Sequence, residues 1–252
     1  MKLSLPSLPE PARPVDQRRD AALEASHELA QRYAQLAAKP FAKRPVDLVL
    51  RLLDIVLSVT ILGLFAPFIG LAVLAVLLTS GRPVLYRGLR VGRAGELFEI
   101  YKLRTLKPDA ETRLGPFQDK ELDRRTESET TRVGRVLRAT QLDELPQLYN
   151  VLRGDMSIVG PRPIRPVFFE ELATEIPQYW QRLVVRPGLT GFAQLRMERD
   201  TTWAEKLAHD LEYLADRSVR LYLRVVFDTA RRILARVARE VPGAADGQPS
   251  PR

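Results

Sequence analysis

Cysteine is absent from the 252 residues, and histidine occurs twice, at His27 and His209. Without cysteine there can be no disulfide, no thiol nucleophile and no cysteine-ligated zinc, and the chain fits a reducing compartment. Two histidines far apart, in unrelated contexts, argue against a histidine-based metal centre or catalytic triad. Aromatic residues make up 7% of the chain, few for the stacking surface of a nucleic-acid binder. The first 44 residues hold no apolar h-region, so they do not read as a secretory signal. A Pro-rich start, "LPSLPEPARPVD", leads into an alanine-, glutamine- and charge-rich stretch from Asp16 to Ala38. Residues 1–44 are therefore expected to be an extension outside the core, partly disordered and partly helical.

What is present begins with hydrophobic content of 45%, ample for a buried core, and a net charge of +8. A balance this basic points to an anionic partner: nucleic acid, an acidic membrane surface or a phosphate-bearing substrate. From Ile55 to Leu78 runs "IVLSVTILGLFAPFIGLAVLAVLL", twenty-four residues without a charge. As a straight helix it would measure ~36 Å against a hydrocarbon core of ~30 Å, so a membrane segment is expected within 45–80. Pro67 at its midpoint removes a backbone donor and predicts a kink. Both flanks are basic, with Lys43, Arg44 and Arg51 before the run and Arg82, Arg87, Arg90 and Arg93 after it. Under the positive-inside rule neither end is favoured to cross, which a helix that bends at Pro67 and returns to the same face would satisfy. Arg51 and Asp54, three apart on one helix face, are expected to pair where the segment meets the interface. An ordinary kinked transmembrane helix is the alternative.

Residues 81–202 read as a small globular domain. "VLYRGLRVGRAGELFEIYKLRTL" predicts short strands joined by a turn at Gly92 to Gly95. Lys102 and Arg104, two apart, share a face if that segment is extended. Residues 107–132 are charged and polar, a surface excursion. From Trp203 to Arg239 the chain reads as a long amphipathic helical region, with Leu207, Leu211 and Leu214 at helical spacing and Arg217, Arg220, Arg224, Arg231, Arg232, Arg236 and Arg239 following. A basic amphipathic helix beside a membrane segment suits the headgroup region. Residues 240–252 read as a disordered tail. The expected class is α/β, rich in helix.

"TQLDELPQLYN" sets Asp143 and Glu144 side by side just ahead of Pro146. Proline is tolerated in a first helical turn, and Gly154 can close the other end, so a helix is expected to open here with Asp143 near its N-cap. One reading is structural: a cap and a charge complementing the helix dipole, together worth ~1 kcal/mol. The other is chemical. A helix N-terminus favours the ionised carboxylate, which can attack phosphorus, while a neighbouring acid holds a divalent cation. Such chemistry needs cationic donors, and Arg104, Arg138, Arg162 in "VGPRP" and Arg186 in "VRPG" lie in predicted turns, where a guanidinium offers a bidentate fork.

These segments resemble the bacterial sugar transferases, the monotopic phosphoglycosyl transferases, over a core from about Arg51 to Leu234. The resemblance rests on "RLLDIVLSV" running into a Pro-broken apolar stretch, "FEIYKLRTL", "TRVGRVLRATQLDELPQLYNVLRGDMSIVGPRP" and "RPGLTGFAQL". It implies a monotopic protein of the bacterial inner membrane. A re-entrant helix would open to the cytoplasmic face, with a small catalytic domain carrying short strands and with interfacial amphipathic helices. The implied reaction passes a phosphosugar from a UDP-sugar to polyprenyl phosphate, a first membrane step of polysaccharide or glycoconjugate assembly. By carry-over, Asp143 is the nucleophile and Glu144 the carboxylate associated with Mg²⁺. Arg162 and Arg186 handle phosphate or nucleotide, and Lys102 and Arg104 form the basic pair of the lysine-aromatic-arginine strand. Two positions depart from the family pattern. Leu103 stands for the aromatic, and Ala66-Pro67 stands for Ser-Pro, leaving Ser58, Thr60 or water to satisfy the carbonyl that Pro67 frees.

The implied partners are donor, lipid acceptor and membrane lipids, with a homo-oligomer or downstream glycosyltransferases left open. A membrane-anchored scaffold that binds lipid-linked sugars without turnover is the alternative, and a nucleic-acid binder ranks below both.

Overall fold

The computed structural model describes residues 44–110, 113, 125–196 and 201–240. The expected extension at 1–44, apart from Arg44, most of the middle of the 107–132 excursion and the tail beyond residue 240 lie outside the described residues.

One helix, α1 (Pro45–Ser80), takes up the apolar run and begins ten residues before it. Pro45 occupies the first turn, where its missing N–H would have no partner, and the Arg44 amide donates to Asp47 Oδ2 at 2.9 Å. The helix passes through Pro67 as one element. Neither expected side chain serves the Gly63 carbonyl that this proline frees. Thr60 Oγ1 donates to Val56 O at 2.8 Å, and Ser58 is buried with its hydroxyl unpartnered. Burial along α1 is confined to two patches, Leu50–Asp54–Ser58 and Ala72–Val76, each spaced by one helical turn. Between them Leu64 and Phe68 stay 68% and 54% exposed, so the middle of the helix presents apolar surface that water does not favour. By length and composition α1 can cross a membrane.

The expected Arg51–Asp54 pair is not what forms. Arg51 lies against α3 (Gln147–Arg153), donating to Val151 O at 2.6 Å and Leu152 O at 2.9 Å, two of the carbonyls a helix end leaves unsatisfied. Asp54 Oδ1 accepts from Ser157 Oγ and Ile158 N, both at 2.9 Å, and from the Tyr222 hydroxyl at 2.8 Å. Each charge therefore ties α1 to the globular domain instead of to its helical neighbour.

After α1, β1 (Leu85–Val91) and β2 (Leu97–Leu103) form an antiparallel hairpin, and its turn is the one predicted at Gly92–Gly95. Tyr86 pairs with Lys102, Gly88 with Ile100 and Arg90 with Phe98, and these six share the inner face. α2 (Arg132–Thr140) follows, capped by the Thr131 hydroxyl on Gly134 N. Then come the acidic turn and α3, closed by Gly154 with φ of 97° as predicted. β3 (Ser157–Val159) pairs in parallel with β4 (Gly188–Thr190). Here the backbones of "VGPRP" and "VRPGLTG" touch, and a Cβ on Gly160 would stand 2.5 Å from Arg186 O. The glycines of both segments are thus needed for close approach.

Between these strands lie α4 (Pro166–Glu175) and a 3-10 stretch at Tyr179–Val184; α5 (Phe192–Arg196) follows β4. The amphipathic helical region expected beyond Trp203 is divided into α6 (Trp203–Asp216) and α7 (Val219–Glu240). They break at Arg217, which is buried and turns back to bind Asp47 Oδ1 at 2.7 Å and Leu214 O at 2.8 Å. Leu207 and Leu214 are buried as expected. The main core joins Leu50 of α1 to Leu148, Val151, Ile158, Tyr222 and Val225. A smaller cluster joins Ala72 and Val76, from the far end of α1, to Leu103 and Leu137. Among the described residues the fold is a helix-rich α/β arrangement with two short sheets.

Candidate active site around an acidic pair

Asp143 and Glu144 sit in a 3-10 turn, Leu142–Glu144, between α2 and α3. The expectation that Asp143 lies near the cap of α3 is corrected: Pro146 is the residue flanking that helix, and the acids precede it in a turn of their own. The cause is local. Pro146 has no N–H to give the Leu142 carbonyl, which instead accepts from Leu145 N at 3.3 Å, three residues on. Leu142 packs into the cluster of Ala72 and Val76, and Leu145 into the main core. The acidic turn is thereby held between the two anchored ends of α1.

Asp143 is only 6% exposed. Burial, and next the charge on Glu144, push its carboxyl up to about 6, against the pull of Lys102 and Arg138. This reverses the sequence expectation of a favoured ionised form, because burial here outweighs the donors. Burial also pushes Glu144 up, but Lys102, then Arg162 and Arg138 overcome it and hold this carboxyl below its ordinary value. Lys102 Nζ stands 2.5 Å from Glu144 Oε1. Arg138 donates from Nε to Thr105 Oγ1 at 3.1 Å, which fixes its side chain beside the pair. Two adjacent acids with unlike proton affinities therefore face three cations.

Lys102, Arg138 and Arg162 are brought to the acids; Arg104 and Arg186 are not. β2 ends at Leu103, and the Arg104 guanidinium is buried against the end of α1, donating to Ser80 O and Gly81 O. It closes the C-terminal end of α1. Leu103, in place of an aromatic, fills the space among Ala72, Val76 and Leu137. Arg186 donates from Nε to Gly154 O at 2.7 Å, and the charges acting on it are Arg51, Arg93, Asp54 and Asp155, at the other end of α3. Both arginines serve backbone carbonyls far away in sequence.

One supporting contact had no sequence signal. Arg182 and Asp210 form a buried ion pair at 2.8 Å, and Arg182 Nη2 donates to Arg162 O at 3.0 Å. The pair fixes the "VGPRP" loop from behind, and only the tertiary fold brings residues 182 and 210 together.

Among the described residues no group of three or more His, Asp or Glu side chains could hold a metal by itself. The donor set suits an ion that takes one or two carboxylates and completes its shell with substrate phosphate and water, as Mg²⁺ does. Glu144 is the carboxylate of the pair that is held ionised, with one oxygen on Lys102.

Comparison with known proteins gives a consistent result. The profile of the bacterial sugar transferases matches residues 46–236. The chain is similar, at 42% identity over 200 residues, to UDP-glucose:undecaprenyl-phosphate glucose-1-phosphate transferase of Caulobacter vibrioides, covering 77% of this chain and 73% of that relative. It is 38% identical over 196 residues to exopolysaccharide production protein PSS of Rhizobium leguminosarum bv. phaseoli, covering 73% of this chain and 94% of the relative. UDP-N-acetylgalactosamine-undecaprenyl-phosphate N-acetylgalactosaminephosphotransferase of Aeromonas hydrophila is 38% identical over 187 residues, but this match covers only 43% of its length.

Proposed function

The chain belongs to the bacterial sugar transferase family and is a phosphoglycosyl transferase, and on that premise we propose that Asp143 carries the phosphosugar between donor and lipid. The Asp143 carboxylate attacks the sugar-bearing phosphorus of a UDP-sugar. An aspartyl O–P bond forms, the bridging P–O bond breaks, and its electron pair leaves on UMP. A phosphate oxygen of undecaprenyl phosphate then attacks the same phosphorus and frees the carboxylate. The observation that carries this reading is Asp143 itself, buried beside Glu144 and under the charges of Lys102 and Arg138. An anion docking among Lys102, Arg138 and Arg162 meets cations already in place, the preorganised charge that phosphoryl transfer requires.

Glu144 would hold Mg²⁺ together with the donor's phosphates. When bound, the ion supplies neutralisation of the diphosphate's charge. Lys102 keeps Glu144 ionised for that role.

The membrane arrangement follows the same premise. Only residues 59–71 of α1 lie between its two buried patches, Ser58 on one side and Ala72 on the other. Thirteen helical residues rise ~20 Å, whereas a span needs about 20 residues. Both patches pack on one globular domain. A re-entrant α1, dipping into one leaflet near Pro67 and opening to the cytoplasmic face, accounts for this packing and for the basic residues on both flanks. Leu223, Phe227 and Leu234 of α7, exposed among arginines, suit the same interface. No observation favours the non-catalytic scaffold.

The test is isotope exchange. Without lipid acceptor, labelled UMP is expected to enter UDP-sugar in the presence of Mg²⁺, and chelation is expected to stop it. Turnover with acceptor but no exchange without it would overturn the two-step reading.

A further inference from the structure

We propose that Gln147 is a further catalytic residue, whose side-chain amide donates to a phosphoryl oxygen of the phosphosugar as Asp143 takes it up. The inference rests on the Asp143 intermediate and deepens it with a donor that is neither a cation nor a metal ligand.

Among the described residues three buried side-chain atoms lack a hydrogen-bond partner: Ser58 Oγ, Arg104 Nε and Gln147 Nε2. A polar atom buried in this way costs free energy, so each asks for a reason. Ser58 belongs to the first buried patch of α1, and Arg104 to its C-terminal end, where the same guanidinium already serves Ser80 O and Gly81 O. Gln147 alone of the three stands in the segment of the acidic pair. Leu145 and Pro146 both hold helical angles, φ −57°, ψ −34° and φ −59°, ψ −20°, so the acidic turn runs into α3 without a change of direction. Gln147 therefore lies one turn beyond the pair, three residues from Glu144 and four from Asp143, on the same face.

Three residues further along that face is Asn150, fully buried, and its side chain is spent within the protein. It donates to Glu99 O at 2.6 Å and to Asp155 Oδ2 at 3.1 Å, and it accepts from Tyr101 N at 3.1 Å. The face is thus pinned to β2 at Tyr101, next to the Lys102 that reaches Glu144. Between the finished contacts of Asn150 and the reacting group of Asp143, Gln147 is 3% exposed and keeps its amide without an acceptor. The acceptor that arrives one turn away is the phosphoryl group taken up by Asp143. Of the cations there, Lys102 is engaged with Glu144 and Arg138 with Thr105. A neutral amide adds a donor for the phosphoryl oxygens without adding charge beside the nucleophile. Because that bond forms only when phosphorus is seated against Asp143, it speeds transfer and does not tighten donor binding.

The experiment uses the full chain in detergent with Mg²⁺ and the member of a panel of UDP-sugars that labels the native protein. Rapid-quench intact mass gives the rate of adduct formation against donor concentration for the native protein, Gln147→Met and Gln147→Leu. Chemical unfolding without donor gives the stability of each. Methionine and leucine match glutamine in helix propensity and carry no donor. Loss of one hydrogen bond to a charged group predicts a saturating rate about ten- to hundredfold lower in both variants, at a near-native half-saturating concentration. Stability is expected to hold or to rise, because an unmet buried donor has been removed. A native saturating rate in either folded variant overturns the assignment, and so does a slower rate accompanied by lost stability in both; either result leaves Asp143 standing. A native protein that turns over with lipid yet never forms the adduct would remove both.

Discussion

Asp143 carries its charge where burial opposes it. Its carboxyl is lifted from an ordinary 3.8 to about 6, so the folded protein holds that proton more tightly than the unfolded chain does. Stability consequently falls as pH rises from about 4 through about 6 and is level above, and two pK units amount to about 3 kcal/mol. Asp143→Asn is expected to abolish transfer and yet to stabilise the fold at pH 8, by no more than about 3 kcal/mol, with the gain shrinking towards pH 4. Equilibrium unfolding at the two pH values checks this, and a variant less stable than the native protein at pH 8 would count against it. The same group sets an acid limb. The first half-reaction needs the carboxylate, so its rate should climb with pH through about 6. Glu144 has the opposite sign, because its depressed value adds stability that is present above the ordinary carboxylate range and lost as pH falls through it.

At the scale of elements, α1 is a tethered helix. Asp54 alone takes three hydrogen bonds, from Ser157, Ile158 and Tyr222. Asp54→Ala leaves those donors buried and unmet and should cost about 2–4 kcal/mol, whereas Asp54→Asn keeps one acceptor and should cost less. Equal losses in chemical unfolding would show that the tether does not depend on these bonds. The elements set by local chemistry were legible beforehand: the apolar run, the hairpin turn at Gly92–Gly95, the stop at Gly154 and the acids just ahead of Pro146. Arg138 and Arg162 were singled out by their turn contexts and Lys102 by the family resemblance, as donors to phosphate, and the fold sets all three beside the acids. Arg104 and Arg186 look the same in sequence, but each is drawn to carbonyls more than twenty residues away. Spacing also suggested a pair of Arg51 and Asp54, whose partners lie about a hundred residues on and beyond. No pattern within a strand or helix carries that information. The position of the break between α6 and α7 had no local signal for the same reason, since Arg217 there reaches back to Asp47.

For the molecule as a whole, the proposed re-entrant α1, anchored at both ends, would set the acidic turn against the membrane, within reach of a lipid phosphate and a soluble nucleotide sugar. The absence of native cysteine makes the topology directly measurable. Single cysteines at Arg44 and Arg82, in separate variants, are both expected to react with an impermeant thiol reagent from the cytoplasmic side of membrane vesicles. Labelling of the two from opposite sides would mean that α1 spans. The central claim, a phosphosugar held on Asp143, is tested most directly by intact mass of the purified protein mixed with Mg²⁺ and a panel of UDP-sugars without lipid acceptor. The account predicts a single phosphosugar adduct on the native chain, absent from Asp143→Asn and cleared by undecaprenyl phosphate. An adduct that persists in Asp143→Asn, or none on a native enzyme that turns over once lipid is added, would contradict it.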